Sequence, residues 1–155
     1  MNRLVLALDL EGTLGVSQGR FLVPRPGLYP FLEYALARFE RVVVYTMLSK
    51  THARGVVEAL VEGGAAPSAF LHGFEYIDGP GGYKDLSAVP NAQEVWIVDD
   101  SPSVIHPEQK ANWFQIASFY PPPQHSSFCL PEPEVDRELE RIQALLEERI
   151  TLEGI

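Results

Sequence analysis

The sequence predicts an α/β domain, with a mainly parallel five-stranded sheet covered by helices on both faces. Three observations predict it. Short apolar runs without polar alternation, LVLAL at Leu4–Leu8, RVVVY at Arg41–Tyr45 and EVWIV at Glu94–Val98, read as strands buried on both faces. Helical periodicities separate them, and parallel neighbours need such crossovers. Three of the strands run into polar residues, Asp9, Thr46 and Asp99-Asp100, and in sheets of this kind ligands bind beyond the carboxyl ends of the strands.

The first strand stops at Asp9, and GVSQGRFLV at positions 15–23 reads as a hairpin flap. After Gly27, the residues Leu28, Phe31, Leu32, Ala35, Leu36 and Phe39 recur at helical spacing, with Pro30 tolerable only in a first turn. The second strand ends at Thr46; Ser49 then caps a helix burying Ala53, Val56, Val57, Leu60 and Val61, which Gly63 and Gly64 stop. Ala69–Leu71 and Phe74–Ile77 give weaker strand signals before the turn-rich DGPGG of residues 78–82. Glu94–Val98 is the fourth strand and Phe114–Ala117 the fifth. Pro121–Pro123 and Pro131–Pro133 bracket a loop, and Val135, Leu139, Ile142 and Leu146 mark a terminal helix over about 134–150. There is no internal repeat.

Composition bounds the rest. At 155 residues, 46% apolar and 21% charged, residues 1–155 suit a single domain whose motifs lie in about 4–120. Twelve basic against twenty-one acidic residues give a formal charge of −9, which disfavours nucleic acid and anionic lipid as partners. No apolar run approaches the roughly 20 residues of a membrane helix. The start MNRLVLALDLEGTL lacks the features of a signal peptide, and Cys129 is the single cysteine, so a cytoplasmic location is expected. His52, His72, His106 and His125 have no ligand-like spacing with Cys129, against a zinc site; Cys129 reads as packing.

The chemistry is carried by the strand ends. Asp9-Leu10-Glu11-Gly12-Thr13, Thr46 and Asp99-Asp100 should converge on one crevice, which Lys84 in GGYKDLS could reach. Gathered carboxylates raise one another's pKa unless a cation neutralises them, and oxygen ligands suit Mg²⁺. Such a cation, with Lys84 and the Thr46 hydroxyl, would also neutralise a phosphoryl group. Asp99-Asp100-Ser101-Pro102 could equally cap a helix starting at Pro102, and both roles stay open.

These motifs resemble the haloacid dehalogenase superfamily, whose first motif is Asp-x-Asp-x-Thr at the end of the first strand. RPGLYPFLEYALARFERVVVYT, KDLS and VWIVDDSP look like its NLI-interacting-factor-like, or carboxy-terminal-domain, phosphatases, over roughly residues 4–120. The resemblance implies a three-layer Rossmann-like fold and a Mg²⁺-dependent phosphomonoesterase in which Asp9 becomes an aspartyl-phosphate. It implies Mg²⁺ held by the Asp9 carboxylate, the Glu11 main-chain carbonyl and the Asp99-Asp100 pair. Thr46 and Lys84 would bind the phosphoryl group, and Arg25 would meet substrate. Glu11 departs from the family pattern, standing where an aspartate acts as general acid and base. The short connections leave no room for a large cap domain, which by analogy points to an open crevice and a phosphorylated macromolecule such as a phosphoprotein.

Two other functions compete. One is a phosphate-binding or interaction module of the same family, slow or inactive because of Glu11. The other is a receiver domain, but receivers carry their acid pair on the first strand, whereas here the pair follows a late one. A P-loop nucleotidase fails sooner, because GPGGYKD is not GxxxxGK(S/T). Oligomeric state is not legible.

Overall fold

β1 (Leu4–Leu8) is buried at every position and forms the middle of the architecture. In the computed structural model, which describes residues 4–121 and 135–155, it is flanked by β4 (Arg41–Val44) and β5 (Glu94–Asp99). β6 (Trp113–Gln115) lies outside β5, giving a parallel sheet in the order β4-β1-β5-β6. Leu8 pairs with both Val44 and Val98. The carboxyl ends of β4, β1 and β5 are therefore level, and the polar residues that follow them share one edge.

Alternation along β1 divides the core. Leu4, Leu6 and Leu8 face a large cluster containing the buried sides of α1 (Leu28–Arg38), α2 (Lys50–Glu62) and α4 (Glu138–Glu153). Val5 and Ala7 face a second cluster with Leu86, Val89 and Ile105. None of the described α-helices contributes to that second cluster, which lies under short 3-10 turns at Leu86–Ala88 and Pro102–Val104. The segment between α2 and β5 holds Pro80, Pro90 and the Gly79, Gly81 and Gly82 run, too many breakers for a long helix.

Local chemistry sets the element ends. The Ser49 side chain accepts the His52 N–H at 3.2 Å and caps α2. Pro30 sits in the first turn of α1, where its missing N–H costs nothing. β2 (Gly15–Gln18) and β3 (Phe21–Pro24) form the expected antiparallel hairpin. No helix among the described residues is long and apolar enough to cross a membrane.

The structure corrects several element assignments. Ala69–Leu71 lies in α3 (Ser68–His72), a helical turn that buries Phe70; a three-residue apolar run fits either period. Phe74–Ile77 makes one bridge, Tyr76 to Val44, so the described sheet has four strands and a single-residue fifth position. The strand expected at Phe114–Ala117 is β6, which begins at Trp113 and stops at Gln115. The terminal helix starts at Glu138 and runs to Glu153, leaving Val135 exposed before it. Pro122, Pro123, His125, Cys129 and Pro131–Pro133 lie outside the described residues.

Candidate active site

Asp9 is the first residue beyond β1, and its backbone N–H bonds the Val98 carbonyl at 3.1 Å. Its carboxylate is buried beside the level strand ends, 6% exposed. Thr13, fully buried in the turn that follows, donates to Asp9 Oδ2 at 3.0 Å. The turn is held by Thr13 and Leu14 N–H groups on the Leu10 carbonyl, at 3.1 and 2.9 Å. Gly12 has φ of 80°, and a Cβ there would collide with the Asp100 carboxylate, so this position admits glycine on both counts.

Lys84 enters from the far side of the sheet edge. Its backbone N–H bonds the Val104 carbonyl at 2.7 Å, and its side chain is buried. The ammonium donates to Asp9 Oδ1 at 3.0 Å and to Asp99 Oδ2. Asp99 Oδ1 accepts the Ser101 N–H at 2.9 Å, so the Asp99 side chain braces the start of the Pro102–Val104 turn as well as meeting Lys84. The Asp99 carbonyl accepts the Trp113 indole N–H at 3.0 Å. Asp100 Oδ2 accepts from Ser118 Oγ at 2.7 Å, and its Oδ1 lies 3.4 Å from Thr13 Oγ1.

Two carboxylates, Asp9 and Asp99, thus share one ammonium, and the Asp100 carboxylate lies beside them. Oxygens of Asp9, Asp99 and Asp100 lie within 4.8 Å of one another. Burial pushes the Asp9 carboxyl up to about 7, with Lys84 opposing the rise and Asp99 adding to it. Burial likewise raises Asp99, against the pull of Lys84. The uncompensated negative charge and the all-oxygen donor set fit a hard divalent cation.

Thr46 is buried just past β4, and its Oγ1 accepts the Leu48 N–H at 3.3 Å. That bond fixes the oxygen and leaves the hydroxyl proton to be donated elsewhere. Thr46 and Lys84 line one cavity of about 150 Å³, together with Tyr45, Met47, Asp78 and Tyr83. A larger hollow of about 760 Å³, between β6 and α4, contains none of the strand-end residues.

Two further expected site residues have their side-chain partners outside the acid cluster. Arg25, expected to meet substrate, is 1% exposed, with its guanidinium taken up by protein groups. It donates to the Gly12 and Thr13 carbonyls at 3.1 and 3.2 Å and forms a two-point ion pair with Asp136 at 3.1 and 3.0 Å. Its guanidinium also lies over the Phe119 ring; it anchors the turn that carries Asp9. The Glu11 carboxylate is not part of the Asp9–Asp99–Asp100 cluster. It is turned to the hairpin, where Ser17 Oγ donates to it at 2.6 Å.

Ser118 has no place in the sequence reading, and Thr13 has one only as a member of the first motif, without a role of its own. Ser118 is a hydroxyl shortly after a strand end, the signal that had singled out Thr46.

The likeness to known proteins agrees with this geometry. The family model described as NLI interacting factor-like phosphatase matches residues 4–152. A comparison with curated proteins gives no match. The matched span covers the sheet, the strand-end acids, Lys84 and nearly all of α4. The chain therefore belongs to the NLI interacting factor-like phosphatase family.

Proposed function

We propose that this chain is a Mg²⁺-dependent phosphomonoesterase that works through an aspartyl-phosphate on Asp9. The observation that supports it is the seat of Lys84 between Asp9 and Asp99, with Thr13 on the other Asp9 oxygen. Asp9, Asp99 and Asp100, with the Glu11 main-chain carbonyl, are the residues that would hold Mg²⁺. When bound, Mg²⁺ supplies positive charge against the nucleophile and the phosphoryl oxygens.

Asp9 attacks phosphorus while Lys84 and Thr13 hold its carboxylate in place. Lys84 and the Thr46 hydroxyl take the phosphoryl oxygens, where charge must be offset during transfer. Glu11 gives its proton to the departing oxygen and takes one back from the water that releases phosphate. Among the described residues there is no large cap, and the short β2–β3 hairpin is the element beside the crevice. That openness favours a phosphate carried on a macromolecule, a phosphoprotein above all.

Hydrolysis of 4-nitrophenyl phosphate with and without Mg²⁺, for the wild type beside Asp9→Asn, tests the proposal. Metal-dependent turnover that disappears in Asp9→Asn is expected. Full activity in Asp9→Asn overturns the mechanism. A wild type that binds Mg²⁺ but turns over no phosphoester is instead a phosphate-binding module.

A further inference from the structure

Glu11 and Ser17 are tied together across the entry to the hairpin. Ser17 Oγ donates to Glu11 Oε1 at 2.6 Å, and the Ser17 backbone N–H donates to Oε2 at 3.3 Å. One residue thus holds both oxygens of the carboxylate. The backbone arranges this. Glu11 bridges Gly15, and the Gly12 N–H bonds the Gly15 carbonyl at 2.9 Å, so β2 begins beside Glu11. Ser17, two residues on, shares a strand face with Gly15.

A glutamate side chain carries one more torsion than an aspartate, and each added torsion spreads the carboxyl over further staggered positions. Proton transfer to a leaving group tolerates little of that spread, since a shift of about 1 Å can cost roughly 100-fold in rate. The two-point hold restricts that added freedom. An aspartate at position 11 would end one methylene short of the same donors. The Glu11 carboxylate also stands apart from the Asp9–Asp99–Asp100 cluster, as befits a proton carrier rather than a metal ligand.

We infer that Ser17 is the positioning residue for Glu11, and that the hairpin thereby adapts this site to a longer proton donor. The inference rests on the reading of Glu11 as the proton donor. In the first step the Asp9 carboxylate forms a bond to phosphorus, the ester P–O bond breaks, and the leaving oxygen takes the proton of the Glu11 carboxyl. In the second, water attacks phosphorus, the Asp9–phosphorus bond breaks, and Glu11 regains a proton from that water. Ser17 exchanges no atoms; it fixes where the carboxyl stands.

The test compares 4-nitrophenyl phosphate, whose leaving group departs without a proton, with phenyl phosphate, whose leaving group needs one. Ser17→Ala is expected to lower kcat/KM for phenyl phosphate about 10-fold and for 4-nitrophenyl phosphate less than about 2-fold. Ser17→Thr, which keeps the hydroxyl, restores the phenyl phosphate rate. In a Glu11→Asp background, Ser17→Ala has the same small effect on both esters. Equal losses on the two esters with Glu11 in place, or no loss, overturn the positioning role while leaving the phosphatase reading intact. Absence of turnover by the wild type on both esters removes that reading and this inference with it.

Discussion

Lys84 is the cation that the buried acids share. Replacing it with methionine leaves Asp9 and Asp99 facing each other without an ammonium, and removing one partner of a buried ion pair costs about 3–5 kcal/mol. The loss in thermal stability of Lys84→Met should be larger at pH 8 than at pH 5, because without the ammonium the buried acids can avoid facing charges only by holding protons, which costs more as pH rises. Equal losses at the two pH values would count against the shared-cation account. The same acids set how metal binding depends on pH. A carboxyl raised to about 7 holds its proton in the folded chain below that pH, so in the metal-free protein Asp9 favours folding at low pH, and that contribution is lost as pH rises from 3.8 through about 7. Mg²⁺ must displace the proton. Its affinity should therefore weaken as pH falls below about 7, approaching tenfold per pH unit for one released proton, and titration calorimetry in buffers of different ionisation enthalpy should detect the release. Asp9, Thr46, Lys84 and the Asp99-Asp100 pair were legible in the sequence because each stands at the end of an apolar run or in a motif. The anchoring of Arg25 was not legible, because its partner, Asp136, lies 111 residues away, and no local pattern announces a pairing that only the fold creates.

Among the elements, the 3-10 turn at Leu86–Ala88 is the one that delivers Lys84. Asp85 caps it by accepting from Ser87 N–H and Oγ, at 2.9 and 2.7 Å, and from Gln109 at 3.0 Å. Those bonds, led by the Ser87 side chain, hold the Asp85 carboxyl down at about 2. A depressed acid stabilises the fold above its ordinary value of 3.8, and that support is lost as pH falls towards about 2. Asp85→Ala should loosen the turn at neutral pH, read as faster amide exchange at Ser87, and should abolish the turn's own acid transition over that range. Strands were more legible here than turns. β1, β4 and β5 have continuous apolar runs that admit one reading, whereas Ala69–Leu71 is too short to show a period and folded as α3. Tyr76 reached the sheet edge but stopped at a single bridge, with the glycine- and proline-rich turn close behind it.

For the whole molecule, α4 completes the core. Leu139, Ile142, Leu146 and Ile150 are buried in the same cluster as alternate residues of β1, and Asp136, just before the helix, pairs with Arg25 beneath the Asp9 turn. A chain ending after Pro121 should therefore not melt cooperatively, although it retains every strand-end acid. Asp136→Asn in the full chain should lower the melting temperature and, because Arg25 supports the Gly12 and Thr13 carbonyls, should weaken Mg²⁺ binding as well. A melting change with no change in metal affinity would confine the pair to stability. The sequence placed this helix correctly as amphipathic but not its debt to the active-site turn, because periodicity reports which face is buried and not what it is buried against.

The bond from the Trp113 indole to the Asp99 carbonyl has an optical use. The chain has two tryptophans, Trp96 and Trp113. Trp96 is fully buried and donates to Glu94 at 2.8 Å, so its surroundings stay fixed. Trp113 is half-buried and attached to the backbone of an acid in the site. Its fluorescence should thus respond when a cation or phosphate settles against Asp99, with Trp96 as a constant background. Trp113 emission would then follow occupancy without a label and without turnover, and an unchanged spectrum on adding Mg²⁺ would show that the indole does not sense the site.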